Sequence, residues 1–128
     1  MKRFVVVIDH DFDSRGTLNS WLNGMGFDAV AARSGDHGLA LMSAFASIGC
    51  PIDGILLNFE IPRADGLAVL QKIQEHFDQV PVILMASISD PTRLEKALRQ
   101  GGRDVLMKPF DRFQLQEKCI RHFIPSPS

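Results

Sequence analysis

Short continuous apolar runs alternate along this chain with longer segments whose apolar residues recur every three or four positions. Phe4 to Ile8 (FVVVI), Phe27 to Ala32, Ile55 to Leu57, Pro81 to Ala86 (PVILMA) and Val105 to Met107 read as strands. The unbroken apolarity of FVVVI fits a strand covered on both faces. Between the strands, Asp13 or Ser14 caps a helix with Leu18, Trp21, Leu22 and Met25 on its apolar face and Gly24 and Gly26 at its end. Ser34 opens a second helix with Leu39, Met42, Phe45 and Ala46, closed by Gly49 before Pro51. Asp65 and Gly66 start a third, carrying Leu67, Leu70, Ile73 and Phe77. Asp90-Pro91, a capping carboxylate before a proline at the first helical position, starts a fourth through Leu94, Ala97 and Leu98 to Gly101-Gly102. Asp111 caps a fifth containing Leu115, Cys119 and Phe123.

Strand and helix alternate about five times without an internal repeat, which predicts an α/β fold: a doubly wound five-stranded parallel sheet in three αβα layers. Residues 1–124 form one domain, and 125–128, the end of IPSPS, read as a disordered tail or the start of a linker. Ligands of such sheets bind beyond the C-terminal strand ends where the strand order reverses. In the order 2-1-3-4-5 that crevice lies between strands 1 and 3. Asp9-His10-Asp11 and Asn58 meet there.

Composition narrows the function classes. The 128 residues carry 14 basic and 15 acidic side chains, a net charge of -1, which offers no chain-wide attraction to nucleic acid or anionic lipid. No apolar run reaches membrane-spanning length, and the five-residue run in MKRFVVVIDHD is followed at once by carboxylates, unlike a signal peptide. Cys50 and Cys119 lack the number and spacing of a disulfide framework or zinc site, so two reduced thiols in a cytoplasmic protein are expected. Gly24-Met25-Gly26 precedes a strand instead of following one and fails the dinucleotide fingerprint. The acidic DHDFDSR segment would repel a flavin phosphate. An enzyme is not expected, and the Met and Phe residues Met25, Met42, Phe45 and Phe77 read as core.

Four segments carry a resemblance. IDHDFDSR follows the first strand and LLNFEIPRADG the third, PVILMAS spans the fourth, and GGRDVLMKPF surrounds the fifth. In this combination the chain resembles, over nearly its whole length, the receiver domain of two-component response regulators, which has the flavodoxin-like fold. The family pattern has an acidic pair after strand 1, a phosphoacceptor aspartate four residues before the proline of a PxxDG turn, a Thr or Ser ending strand 4, and Lys-Pro after strand 5. Asp9 matches the first acid, His10 stands where the second belongs, and Asn58 stands at the phosphoacceptor. Ala86 takes the Thr or Ser position with Ser87 one residue late, Val105 takes the site of a switching aromatic, and Lys108-Pro109 is intact, a bond usually cis in the family.

The resemblance implies aspartyl-phosphate chemistry supported by a divalent ion, and the substitutions oppose it. An amide is a poor nucleophile, so Asn58 should not accept phosphate. The family's surplus of carboxylates over one lysine is reduced here to Asp9 against Lys108, with His10 a soft ligand. Asp11 points elsewhere by its phase. No cofactor is therefore expected beyond weak magnesium on Asp9, Asn58 and the Glu60 backbone. Ala86 lacks a hydroxyl and Val105 a ring, so the relay is altered as well. Together these changes point to a pseudo-receiver that signals through protein contacts in a phosphorelay setting.

Alternatives stay open: a response regulator phosphorylated at Asp11 or His10, or a pocket sensing a small ligand or metal. Asn58 is either a loop cap or part of a locked pocket. His10 is a metal ligand, a phosphohistidine or a hydrogen-bonded loop residue. Glu60 mimics negative charge at the pocket or is a solvated loop carboxylate. Arg93, Lys96, Arg99, Arg103 and Arg112 lie along the fourth helix, fifth strand and fifth helix, the face receivers use for partners. That face is either solvated or docks an acidic protein or a second copy. The resemblance implies a sensor kinase, an output domain or another signalling protein as partner, with no direct nucleic acid and no membrane.

Overall fold

The computed structural model describes residues 2–60, 65–87 and 90–125. The elements run β1 (Arg3–Ile8), α1 (Phe12–Gly24), β2 (Phe27–Ala32), α2 (Gly35–Ser47), β3 (Gly54–Asn58), α3 (Gly66–Phe77), β4 (Val82–Ala86), α4 (Pro91–Arg99), β5 (Gly102–Met107) and α5 (Arg112–Phe123). All strand pairings are parallel, in the order β2-β1-β3-β4-β5. The expected sheet order is the one found.

The alternating side-chain direction of a strand splits the core into two halves. Val6, Ile8, Ile55, Leu57, Val82, Leu84 and Ala86 meet Met42 of α2, Leu70 and Ile73 of α3, and Ala97 of α4. Val5, Val7, Leu56, Ile83, Met85 and Leu106 face Leu18 and Leu22 of α1, and Leu115, Cys119 and Phe123 of α5. Because both faces are covered, the central strands have no polar alternation, which is why β1, β3 and β4 read as plain apolar runs. Met42 is buried, and Met25 and Phe77 pack against the two cores.

Several boundaries differ from expectation. The cap of α1 is Asp11, not Asp13 or Ser14: its Oδ2 accepts the Ser14 N–H at 2.8 Å. Gly102 is not a helix stop but the first residue of β5, three positions ahead of the expected start, because the turn is made by Gly101 alone at φ +124°. Ala46 and Leu98, placed on apolar helix faces, are exposed. Pro62 of the expected turn and residues 126–128 of the expected tail lie outside the described residues.

Candidate functional site

The reversal of strand order brings the C-terminal ends of β1, β3 and β5 together. Backbone bonds beyond the ladders set their positions: Asp9 N donates to Ala32 O at 2.9 Å, Phe59 N to Met85 O at 2.9 Å, and Lys108 N to Ala86 O at 2.8 Å. The peptide bond between Lys108 and Pro109 is cis. Asp9 and Asn58, each 2% exposed, are the buried polar residues of this region.

Asn58 is the centre of the network. Its Nδ2 donates to Asp9 Oδ1 at 3.2 Å. Its Oδ1 accepts from Lys108 Nζ at 2.8 Å and from the Glu60 backbone N–H at 3.1 Å. Reversing the amide would set its NH2 against an ammonium and a backbone N–H, donor against donor, so only this orientation satisfies every partner. A carboxamide meets both demands at once: it donates to the acid on one side and accepts from the base on the other. A carboxylate here could only accept and would face Asp9 with like charge.

Asp9 is engaged from further directions. Oδ1 also accepts the Asp11 N–H at 3.0 Å, Oδ2 accepts the Ser14 hydroxyl at 2.8 Å, and the Asp9 carbonyl accepts Arg15 Nη1 at 2.9 Å. The sequence pattern offered Ser14 only as a helix cap, and Arg15 was not singled out. The signal was the position of the α1 cap: with Asp11 as N-cap, Ser14 falls at N3, above the end of β1.

Glu60 departs from the expectation of a solvated carboxylate. Its Oε1 accepts the Ser87 N–H at 2.6 Å and its Oε2 the Ser87 hydroxyl at 2.5 Å, while Lys108 Nζ lies 3.6 Å from Oε1. The Ser87 hydroxyl bond, opposed by partial burial and joined by the Ser87 N–H and Lys108, holds the Glu60 carboxyl below its usual range. Ser87 is therefore tied to the β3 end, 27 residues earlier in sequence.

The other sequence-predicted residues divide into core, rim and surface. Ala86 is 1% exposed within the α3–α4 half of the core, and Val105 packs against the same cluster. His10 sits at the rim, its Nδ1 3.5 Å from Asn58 Nδ2 and 3.8 Å from Asp9 Oδ1, too long for strong bonds. Asp11 is exposed and committed to capping α1. Of the basic residues, Arg93 pairs with Asp65, Arg99 with Glu95 four residues earlier at 2.7 Å, and Arg112 stacks on Phe113 at 4.9 Å. Lys96 and Arg103 are exposed. The structure thus gathers Asp9, Asn58, Glu60, Ser87 and Lys108 and leaves the basic set on the surface.

The residues present do not fit magnesium, the ion the resemblance implies. That ion takes hard oxygen ligands in octahedral array. Both Asp9 oxygens already accept hydrogen bonds, Asn58 turns N–H rather than oxygen toward Asp9, and the Glu60 carboxylate is held by Ser87. A cleft of about 360 Å³ lined by Leu18, Trp21, Met85 and Phe110 adjoins Asp9 and Lys108 on the α1 side.

Comparison with known proteins gives a consistent result. A family model described as the response regulator receiver domain matches residues 5–120. The Regulator of RpoS from Escherichia coli K12 is 30% identical over 123 residues, covering 95% of this chain and 35% of that protein. The DNA-binding transcriptional regulator NtrC from the same strain is 35% identical over 127 residues, covering 96% and 26%. This chain therefore spans about a third or less of the length of these relatives. Among solved structures, the NtrX receiver domain from Brucella abortus superposes with a TM-score of 0.84 at 26% identity, covering 95% of this chain and 99% of that one. A receiver domain protein from Clostridium thermocellum has a TM-score of 0.86 at 20% identity, covering 94% of each chain, a likeness of fold.

Proposed function

Because the chain belongs to the response regulator receiver family, we propose that it is a two-component signalling module that works without phosphorylation at Asn58, through protein–protein contacts. The observation that carries this reading is the amide of Asn58 joining Asp9 to Lys108. The amide oxygen is a weak nucleophile and already accepts two hydrogen bonds, one of them from the lysine that would otherwise meet an incoming phosphoryl group. The core packing of Ala86 and Val105 supports the same reading, since neither side chain can relay a new charge.

On this reading the module is not an enzyme and works in the cytoplasm. Its partner is a sensor kinase, an output domain or another signalling protein, not nucleic acid. The exposed basic residues of α4, β5 and α5 serve as the docking face, either for an acidic partner or for a second copy of the chain. Among the described residues no helix is long and apolar enough to cross a membrane.

The test is an amide spectrum of the 15N-labelled chain before and after addition of acetyl phosphate with magnesium. The spectrum is expected to stay unchanged at Asp9, Asn58, Ser87 and Lys108. A new set of resonances from these residues, reverting as the donor is consumed, would overturn the proposal.

A further inference from the structure

The cleft of about 360 Å³ between α1 and the turn from β5 into α5 has apolar walls that take no part in the network around Asn58. Leu18 and Met85, both buried, form its floor, and two aromatic rings flank it. Trp21 and Phe110 meet edge to face, with centroids 6.4 Å apart and planes at 63°. Each ring is half-buried against the α1–α5 half of the core and keeps part of its surface for the cleft. Apolar and aromatic walls with a few polar groups at one end are the make-up of sites for small molecules, and this volume is at the low end of their range.

The polar end is set by Asp9 and Lys108. Asp9 is 2% exposed, and its Oδ2 accepts one hydrogen bond among the described residues, from the Ser14 hydroxyl at 2.8 Å. A carboxylate oxygen accepts two, so a buried group that lines the cleft has an acceptor position left over. Lys108 carries three N–H groups, of which one goes to Asn58 Oδ1 at 2.8 Å and another lies toward Glu60 at 3.6 Å. A ligand reaching this end therefore needs a donor for Asp9 and an acceptor for Lys108. An ion of either sign would meet one like charge there and would exchange its water for groups already engaged. A neutral carboxamide meets both needs, as Asn58 does between the same two residues. An aromatic ring attached to it would fill the space against Trp21, Phe110 and the Met85 thioether.

We propose that this cleft binds a small neutral aromatic carboxamide, its ring packed on Trp21 and Phe110 and its amide against Asp9 and Lys108. The inference goes beyond a module that acts by protein contacts and gives it a chemical input of its own beside Asn58. Its failure would leave that reading intact, because the cleft is separate from the basic docking face.

The chain has one tryptophan, so the indole N–H resonance of Trp21 reports on the cleft directly. Benzamide, benzoate and benzylammonium share one ring and differ in charge, and each is titrated into the whole 15N-labelled chain at neutral pH. Benzamide should move the Trp21 signal saturably with a Kd of roughly 1 mM, the scale open to so small a molecule. The two ions should bind about tenfold more weakly or worse. Phe110→Ala, which removes one ring, should weaken benzamide binding about tenfold. No saturable shift with benzamide would overturn the proposal, as would an affinity for either ion that equals or exceeds that for benzamide. Unchanged benzamide binding in folded Phe110→Ala would do the same. Should that variant not fold, the charge series in the wild type decides alone.

Discussion

Replacing Asn58 by aspartate would set two carboxylates at the 3.2 Å separation now closed by a hydrogen bond, with Lys108 on the far side of residue 58 from Asp9. The lost donor and the like-charge contact should cost roughly 1–3 kcal/mol of folding stability in metal-free buffer. Urea denaturation of Asn58→Asp in EDTA should show that loss, and millimolar magnesium should recover part of it, while the wild type responds to neither. Equal stability of the two in EDTA would mean that the amide is not the tie described. At this scale the sequence was informative where a residue's meaning lies in a local motif: Asp9, Asn58 and Lys108 are identifiable from the strand ends they occupy. It placed Glu60 beside the pocket but not its partner Ser87, which is reached through the pairing of Asn58 with Met85 across β3 and β4, a register that no local spacing encodes.

The elements show where local chemistry is decisive and where packing overrides it. Asp111 and Gln114 form a capping box at the start of α5, with Gln114 N donating to Asp111 Oδ1 at 2.9 Å and Asp111 N to Gln114 Oε1 at 2.9 Å. Asp111→Ala should lower stability by about 1 kcal/mol, measured by chemical denaturation. Gly54 opens β3 directly under the Phe123 ring, and a Cβ there would lie 2.2 Å from Phe123 Cδ1. Gly54→Ala should therefore cost roughly 1–3 kcal/mol through displacement of α5. The helix starts at Ser34, Asp65, Asp90 and Asp111 were legible because capping is a local event. The early start of β5 was not, since Arg103 and Asp104 look like loop residues and belong to a strand only through their partners.

Asp104 illustrates this. Burial alone would raise its carboxyl, but hydrogen bonds from Lys118 at 2.9 Å, His122 at 2.8 Å and the Val105 N–H at 2.7 Å outweigh that and hold it at about 2, below the ordinary 3.8. With a lowered folded value, the stability it lends is complete above the ordinary value and disappears as pH falls toward 2. Melting temperatures between pH 5 and 2 should fall more steeply for the wild type than for Asp104→Asn. Parallel curves would remove Asp104 from the acid response.

For the molecule as a whole, the two half-cores explain why fold class and strand order could be read from pattern alone. Continuous apolar strands demand cover on both faces, and amphipathic helices between parallel strands supply it. One consequence is chemical. Cys119 lies in the α1–α5 half-core, where burial pushes its thiol up to about 12, while Cys50 is only half-buried. A disulfide reagent should titrate one thiol in the native chain, at Cys50, and two after unfolding. What pattern could not convey was that the altered site is internally satisfied. The substitutions suggested a pocket with parts missing, whereas the side chains form a closed set in which Asn58 and Glu60 take up the donors and acceptors around them. On the proposed reading this closure leaves no acceptor for a phosphoryl group, which intact-mass spectrometry of the chain incubated with acetyl phosphate and magnesium can check. A single unmodified mass is expected; a stoichiometric gain of one phosphoryl group would overturn the reading.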